Sequence, residues 1–301
     1  MTDVPMTNIL EQCDFKSVLT LRKVCHGVRN FIDDANFKTE LTVLQITINS
    51  IDFSFRSYSK NGPAGAAEHC TLDDLKIILG IQNSTLLTFS VVIHPKNIGA
   101  LDDLKDILKN KPRPLQTENV EIRVSRGSQV LKILPYLDSK VLKRITLMTP
   151  VCVRDTNLDE IERIMELEQF KIASELTING FSVDVDLKKF FHFEKICIKF
   201  QEIPIMDLVA LKEVFTTSPH MEKFWLHHYI MDNNQFEKKF GVPSKETERE
   251  DDFVSFIYKK WYFKMQTSKD DVLEIVYASF GLLSFKRIRA ADVEENVIVR
   301  D

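Results

Sequence analysis

The stretch VPMTNILEQCDFKSVLTLRKVCHGVRNFID, residues 4–33, carries apolar residues at helical spacing. From Val18 onward they recur every three or four residues, which predicts a stripe along one face of a helix. A shorter helical piece precedes this helix, and Asp14 is a candidate N-cap between the two. Such a helical hairpin buries too little surface to fold alone, so we expect it to dock on the remaining chain or on a partner. The stripe comprises Val18, Leu21, Val24, Val28, Phe31 and Ile32.

Two segments that alternate between apolar and polar residues follow the helical hairpin, at 44–48 and 51–56. Alternation with a period of two is typical of half-buried strands, and two such strands in succession predict a β-hairpin. The segment KNGPAGAA, residues 60–67, combines Gly and Pro with small residues and predicts a loop. This loop is a candidate domain boundary.

From residue 72 a short amphipathic helix followed by a short strand becomes a repeating pattern. LDDLKIIL begins at Leu72 and LDDLKDIL begins at Leu101, 29 residues later. A supersecondary unit repeated at this interval is typical of a solenoid, in which each unit buries its apolar face on its neighbours. The strict leucine-rich-repeat consensus with its Asn ladder is not met, so the pattern predicts a leucine-rich-repeat-like array, with an ordinary α/β domain as the alternative. The predicted helix and strand pairs are 72–79 with 86–93, 101–108 with 120–124, 129–136 with 141–148, 159–171 with 175–178, 187–191 with 195–200, and 206–215 with 223–227.

The C-terminal part of the chain departs from this pattern. Residues 241–252, GVPSKETEREDD, are polar and highly charged, which predicts a solvated loop. Residues 253–265 and 271–280 are rich in aromatic and β-branched residues, which predicts strands. The predicted fold is therefore α+β or α/β, with an N-terminal helical hairpin followed by a leucine-rich-repeat-like helix–strand solenoid that C-terminal strands close.

The composition is that of a compact globular protein without an excess of cations. Hydrophobic residues make up 44% of the 301 residues, and 40 Lys and Arg stand against 44 Asp and Glu, for a net charge of −4. Nucleic-acid binding is therefore not expected. The N-terminus lacks the basic segment of a signal peptide. Every apolar run is much shorter than the length of about 20 residues that is needed to span a bilayer. The five cysteines never form a CxxC pair, which indicates reduced thiols inside the cell.

No group of residues predicts a catalytic or metal site. Adjacent His227 and His228 on a strand point to opposite faces, so only one of them could share a site with His220, whereas a structural zinc needs four ligands. Carboxylates cluster on the polar faces of predicted helices, where solvation explains them. The sequence contains no GxSxG, GxxxxGK[ST], GxGxxG or HExxH motif. We therefore expect no enzyme, no cofactor and no metal.

Aromatic residues in the last third of the chain have two open interpretations. Trp and Tyr are enriched in binding hot spots, but they also fill cores. The sequence alone does not separate a contact surface from core packing for these side chains. They are Trp225, Tyr258, Trp261 and Tyr262.

The N-terminal stretch also resembles a known family. DFKS at 14–17, LRKVCH at 21–26 and VRNFID at 28–33 are similar to the F-box of nematode F-box proteins of the F-box A type. Such F-boxes bind the Skp-type adaptor of cullin-based SCF ubiquitin ligases, and the resemblance implies the same partner here. In the family pattern the proline and the apolar pair of the first helix lie about one helical turn further apart than Pro5 and Ile9–Leu10 do. The adaptor-binding residues that the resemblance implies are Pro5, Ile9, Leu10, Phe15, Leu19, Val24 and Cys25.

A second resemblance covers much of the repeating array, which looks like the FTH domain that follows the F-box in this family. Where the family usually has Trp, this chain has Phe170, and both side chains fill apolar volume. In the family the FTH domain is taken to recruit the protein that becomes ubiquitinated. The matching segments are EQFK at 168–171 with Ala173, FHF at 191–193, Asp207–Leu208 with Leu211, and the turn at 215–220.

Together these resemblances imply an F-box at 1–40, a β-hairpin and linker at 41–70, and an FTH target-binding domain at 71–300. The implied function is the substrate-recognition subunit of an SCF-type E3 ubiquitin ligase, which bridges the adaptor, and through it a cullin, to an unknown target protein. The short spacing after Pro5 leaves an alternative open, a protein–protein interaction scaffold with a degenerate F-box. Either protein is expected in the cytoplasm or the nucleus, without a membrane partner.

Overall fold

The structure, a computed structural model, describes residues 3–13, 15–34, 41–48, 53–59, 68–82, 84–94, 99–150, 156–227, 233–251, 254–279, 281–294 and 297–301. The fold is mixed α/β, with three helices at the N-terminus. Within the ranges above, no helix has the length and apolar character needed to cross a membrane.

Short helices and strands alternate along most of the described chain. The helices are α1 (Asp3–Gln12), α2 (Phe15–Arg22), α3 (His26–Asp34), α4 (Leu72–Ile81), α5 (Gly99–Lys109), α6 (Gly127–Val130), α7 (Ile161–Met165), α8 (Glu168–Ile172), α9 (Ile205–Thr217) and α10 (Asn233–Phe240), and 3-10 helices lie at Leu134–Tyr136, Leu187–Phe190 and Ala290–Asp292. The strands are β1 (Leu41–Ile48), β2 (Phe53–Ser59), β3 (Glu68–Cys70), β4 (Leu86–Ile93), β5 (Thr117–Arg123), β6 (Arg144–Met148), β7 (Thr156–Asn157), β8 (Glu175–Val183), β9 (Lys195–Phe200), β10 (Lys223–His227), β11 (Lys245–Asp251), β12 (Val254–Lys264), β13 (Asp271–Ala278), β14 (Leu282–Arg289) and β15 (Val299–Arg300).

The chain divides into two compact units, and the first comprises Met1–Arg144 with Arg163–Ile172. Its strands lie in the order β3-β2-β1-β4-β5, with β1 and β2 antiparallel and β4 parallel to both β1 and β5. Side chains on one face, such as Ile46, Val91 and Ile122, are fully buried, whereas most of those between them are partly exposed. Because α4 and α5 also bury their apolar sides, these helices cover one face of the sheet and leave the other open.

The start of α4 is fixed by a reciprocal pair of hydrogen bonds. The Asp74 N–H donates to Thr71 Oγ1 at 3.1 Å, and the Thr71 N–H donates to the Asp74 carboxylate at 3.2 Å. This capping box satisfies two backbone donors that would otherwise lack a partner. It explains why the predicted helix begins at Leu72.

The second unit comprises Ile145–Glu162 with Ala173–Asp301. Its strands lie in the order β6-β8-β9-β10-β14-β13-β12-β11, while β7 pairs with β8 and β15 pairs with β12. The strands β8, β9 and β10 are parallel, and from β10 onward the neighbours in this order are antiparallel. The strands predicted at 253–265 and 271–280 are therefore confirmed as β12 and β13.

Aromatic side chains fill the core of the second unit on one face of its sheet. The ring of Phe215 in α9 lies 5.9 Å from that of Phe224 in β10. The ring of Phe236 in α10 lies 4.9 Å from the buried Trp261 and 5.8 Å from Tyr277. These helices cover the inward face, and the alternating burial along β9 shows that the opposite face is open.

The predicted helical hairpin is wrong in one respect, because three helices take its place. The single stripe from Val18 is interrupted between α2 and α3, where the N–H groups of Lys23 and Val24 bond back three residues to Thr20 and Leu21. Cys25 precedes α3 and caps its N-terminus, because its Sγ accepts a hydrogen bond from the Val28 N–H at 3.5 Å. The helical period included Val24 in the predicted apolar stripe, but Val24 lies at this turn and its side chain is 68% exposed.

The predicted loop at 241–252 is also wrong for most of its length, because Lys245–Asp251 form β11. This strand pairs antiparallel with β12 and lies at the end of the order among the described strands. An edge strand keeps one side free of strand partners, so a run of charged residues is compatible with it. The high charge of the segment therefore indicated exposure to solvent, which is compatible with an edge strand.

Most other elements agree with the sequence predictions. The predicted helix at 129–136 becomes α6 and a 3-10 turn, and that at 159–171 becomes α7 and α8. The strands β3, β7, β14 and β15 and the helix α10 were not predicted. The loop at 60–67 and the candidate cap Asp14 lie outside the described residues. The leucine-rich-repeat-like architecture stays a prediction.

Candidate functional site

The three N-terminal helices share a small apolar core. Each contributes one fully or almost fully buried side chain, namely Leu10 in α1, Val18 in α2 and Ile32 in α3. Because every helix supplies one of these three residues, none can be removed without exposing the other two. Partly buried side chains that surround this core are Met6, Cys13, Leu21, Val28 and Phe31.

The predicted adaptor-binding residues fall into different environments in this three-helix cluster. Leu10 is 1% exposed and belongs to the core, whereas Ile9 is 52% and Val24 is 68% exposed. Cys25 is also exposed. Exposed apolar side chains close to a small core are candidates for a protein contact. The side chains of Pro5, Phe15 and Leu19 lie outside the described part of the structure.

Pro5 lies in the first turn of α1, because this helix begins at Asp3. A proline there does not interrupt the helix, since the first turn has no intrahelical partner for its N–H groups. The backbone therefore continues as a helix from Pro5 to Ile9 and Leu10. The short spacing of these residues corresponds to about one helical turn of α1.

An ion pair connects the three-helix cluster to α4 within the first unit. The ammonium group of Lys23 lies 3.4 Å from the carboxylate of Asp74. Burial raises the pKa of this carboxyl, but the hydrogen bonds from Thr71 and the charge of Lys23 outweigh it and lower the pKa below its ordinary value. The carboxylate therefore serves both the cap of α4 and the attachment of the cluster.

A second candidate surface lies on the open face of the sheet in the second unit. Trp225 in β10 is 41% exposed, and the ammonium group of Lys223 lies 3.4 Å from the centre of a Trp225 ring. The residues that pair with Trp225 on either side are Cys197 in β9 and Ser284 in β14. Both are small, so the indole ring stands above its neighbours.

The other aromatic candidates have different roles. Trp261 and Tyr262 are buried, so core packing is confirmed for them, and Tyr258 is partly exposed. The hydroxyl of Tyr262 donates to the Glu274 carboxylate at 3.1 Å. Burial, followed by the nearby negative charge of Glu274, raises the pKa of Tyr262 above its ordinary range. Among the four, Trp225 therefore has the largest exposed ring.

The histidines do not converge with other ligands in the described residues. His220 is exposed, and burial together with the charge of Lys199 lowers the pKa of His227. His228 lies outside the described part of the chain. Within the described ranges, no three His, Cys, Asp or Glu side chains are arranged to hold a metal ion.

Several residues of the second family signature have structural roles. The amide group of Gln169 in α8 donates to the carbonyl oxygens of Pro135 at 3.2 Å and Leu137 at 2.7 Å. Phe170 beside it is 1% exposed. Asp207 at the start of α9 is also buried, and its carboxylate lies 2.8 Å from the Lys188 ammonium group. These signature residues hold short helices in place, and none of them forms a cleft with converging ionisable groups.

Comparison with family models finds two domains in the chain. Residues 1–40 match the F-box domain, and residues 99–244 match the FTH domain. The first range contains the three-helix cluster, and the second contains Gln169, Asp207 and Trp225. No curated protein and no solved structure matches the chain.

Proposed function

Because this chain is an F-box protein with an FTH domain, we propose that it is the substrate-recognition subunit of an SCF-type E3 ubiquitin ligase. An F-box domain indicates substrate-adaptor function of this kind in general. In the proposed complex the F-box binds a Skp-type adaptor, and through it a cullin, while the rest of the chain holds an unknown target protein. The observation that carries the proposal is the F-box match over a three-helix cluster with exposed apolar side chains.

The adaptor interface is proposed to centre on Ile9 and Val24. Both are apolar and more than half exposed, and desolvated apolar anchors supply much of the affinity of protein interfaces. Cys25 follows Val24 and is exposed as well. Leu10 has an indirect role in this proposal, because its burial in the core fixes the position of its neighbour Ile9. Pro5, Phe15 and Leu19 complete the proposed set of adaptor-binding residues.

The remaining chain is proposed to present the target. We assign the F-box to 1–40, a β-hairpin and linker to 41–70, and the FTH domain to 71–300, built of leucine-rich-repeat-like helix–strand repeats. Support comes from the parallel strands β4 and β5 in one unit and β8, β9 and β10 in the other, each separated from the next by helical turns. One face of each sheet is open, and a wide open face suits protein recognition.

The chemistry of ubiquitin transfer is proposed to occur on other subunits. A cysteine of the conjugating enzyme would carry ubiquitin as a thioester, and a lysine amine of the target would attack it, so that the amide forms as the thiolate leaves. This chain contributes proximity, because it holds the target near that thioester and raises its effective concentration. The free thiols of Cys13, Cys25 and Cys197 fit a reducing compartment, and we propose the cytoplasm or the nucleus.

Adaptor binding by charge-substituted variants tests this proposal. The double variant Ile9→Glu and Val24→Glu should weaken binding of a purified Skp-type adaptor by more than about tenfold, because two apolar anchors are replaced by charges. Asn30→Glu in α3, also at an exposed position, is the matched control and should bind like the parent protein. Circular dichroism checks that α1 to α3 persist in both variants. Equal binding by the double variant and the control would refute the assignment of this surface.

A scaffold with a degenerate F-box is the second candidate function, and the short spacing between Pro5 and Ile9 favours it. This function predicts that the unmodified protein fails to bind the adaptor, while partners of the FTH domain still co-purify with it. Affinity purification of the full chain beside a version that lacks residues 1–35 separates the two candidates. Partners lost on truncation belong to the ligase, and their absence from both samples would favour the scaffold.

A further inference from the structure

Three lysines form an in-register row across the open face of the second unit's sheet. Lys223 in β10 pairs with Lys195 in β9 on one side and with Lys286 in β14 on the other. The outward position two residues along β10 is Trp225. The three cations and the exposed indole therefore share one patch, which we call the lysine row with Trp225.

A row of three positive charges on neighbouring strands is expected to lower the stability of the sheet. Like charges directly opposite each other on neighbouring strands are destabilising. Lys195 is compensated, because its ammonium group lies 2.9 Å from the Glu222 carboxylate and 3.2 Å from that of Glu175. In the described part of the chain, no carboxylate lies within ion-pair distance of the ammonium groups of Lys223 or Lys286.

The electrostatic surroundings of Lys223 agree with this geometry. Burial lowers the pKa of its ammonium group, and the positive charges of Lys286 and Lys195 lower it further. The chain as a whole has a net charge of −4, so this local excess of cations is not a property of its entire surface. A ligand that brings negative charge to the row would remove the repulsion between the lysines.

A shallow open groove of about 560 Å³ lies beside the row, where β9 and β10 begin and β14 ends. Five cations and two carboxylates line it. The guanidinium group of Arg287 is already engaged, since it donates to the carbonyl oxygens of Pro219 at 2.8 Å and of Ser218. The lining cations are Lys195, Lys223, Lys286, Arg287 and Arg289, and the carboxylates are Glu222 and Asp271.

The length of the row limits what can occupy it. Two strand spacings separate β9 from β14, which is about 10 Å. Beyond the row, Glu175 pairs with Lys195 and Glu274 pairs with Lys286, so a carboxylate follows at each end. An extended peptide rises about 3.3 Å per residue and its successive side chains point to opposite faces, so two side chains that both face the row are two residues, or about 6.6 Å, apart.

We propose that the lysine row with Trp225 is a docking site for a short, extended acidic segment of the target protein, with two carboxylate side chains two residues apart and an apolar side chain beside them. The two carboxylates lie over Lys223 and Lys286, because Lys195 is already paired with Glu175 and Glu222. The apolar side chain lies on the part of the Trp225 indole that Lys223 leaves exposed. The inference rests on the proposed function, because the docking site specifies which kind of target protein the FTH domain binds.

Carboxylates fit the row better than other anions do. Bidentate recognition of a phosphate is characteristic of arginine, and neither arginine of the groove belongs to the row. Arg287 donates to backbone carbonyl oxygens, and Arg289 lies three residues after Lys286 on β14, so it points to the opposite face of the strand. A nucleic acid would need a longer track of cations, whereas this row ends at Glu175 and Glu274. Lysine ammonium groups are point charges that suit single carboxylates spaced along a peptide.

Peptide titration of the full chain tests the proposal. The probe is a fluorescein-labelled peptide with two glutamates separated by one serine and followed by leucine, and the reference peptide has glutamines at the same two positions. The glutamate peptide should bind at least about tenfold more tightly, and added salt should weaken its binding. Tryptophan emission should change on binding, because Trp225 is exposed while the second tryptophan, Trp261, is buried.

Variants in the full chain give the decisive comparison. The double variant Lys223→Glu and Lys286→Glu should weaken binding of the glutamate peptide by at least about tenfold. Trp225→Ala should weaken the binding of both peptides. Lys238→Glu, an exposed change on α10 at the helix-covered face, should bind like the parent protein. Equal affinity for the two peptides, or unchanged binding by the double variant, would overturn the proposal. So would a phosphopeptide or an oligonucleotide that binds the row more than about tenfold more tightly than the glutamate peptide does.

Adaptor binding is measured on the same protein samples. If the protein fails to bind the adaptor but discriminates between the two peptides, the proposed ligase function fails and the acidic docking site stands. If it binds the adaptor but does not discriminate between the peptides, the docking site is refuted and the ligase function stands.

Discussion

Replacing Gln169 by methionine is expected to loosen the first unit locally. The change keeps the length of the side chain but removes both hydrogen bonds to the carbonyl oxygens of Pro135 and Leu137. Gln169 is 8% exposed, so water has little access to replace the lost donor. Two hydrogen bonds that each contribute about 1 to 1.5 kcal/mol net give a loss of about 2 to 3 kcal/mol.

Hydrogen exchange is the suitable assay for Gln169→Met, because a chain with two units does not have a single free energy of unfolding. Amides in 134–137 and 168–172 should open roughly 30 to 150 times more often, which corresponds to that loss of free energy. Lys171→Ala on the same helix is the control. Its ion pair with Glu168 is exposed, so this change should cost less than about 0.5 kcal/mol. If Gln169→Met behaved like the control, the buried amide would not hold α8 as described.

Two further predictions concern a backbone position and a response to pH. Gly180→Ala should destabilise the second unit by about 2 to 4 kcal/mol, measured by hydrogen exchange of the amides of that unit, because Gly180 has a φ of +80° and an added Cβ would lie 3.0 Å from Thr149 Cβ. Gly80→Ala in α4, where an added Cβ meets nothing within 4 Å, should be neutral or stabilising, and equal effects of the two changes would contradict this account. For Asp74, whose folded-state pKa is lowered, the stabilising contribution is complete above its unfolded pKa and is lost as the pH falls through its folded pKa. Asp74→Asn should therefore flatten the acid side of the stability profile of α4, measured by hydrogen exchange, and an unchanged profile would show that this carboxyl does not contribute.

The sequence predicted elements whose burial follows a strict period. The bounds of β9 and β10 agree with the predicted strands because burial alternates along them, as in a sheet with one covered face. The helix α10, NNQFEKKF, was missed because Phe236 and Phe240 are its two apolar residues, too few to make a periodic signal. Val24 satisfied the helical period but lies at a turn that depends on local hydrogen bonds.

The candidate sites were predictable only in part. The F-box and FTH signatures were recognised from short motifs, and both domain matches agree with them. The lysine row was not predicted, because it depends on the register between strands that are far apart in the sequence. Nor did composition separate Trp225 from Trp261, since only the fold determines which indole faces the helices and which faces outward. Pairwise register and facing direction are tertiary properties that single-sequence periodicity does not contain.

The open face of the second unit's sheet has a consequence for protein engineering. Side chains that point outward from β9 and β10, such as Cys197 and Trp225, add little to the volume of the core beneath them. Such positions can be randomised in a library while Ile196, Ile198 and Phe224 stay fixed, since these inward residues hold the strands in register. A receptor built in this way can be given a new binding specificity while its fold stays the same.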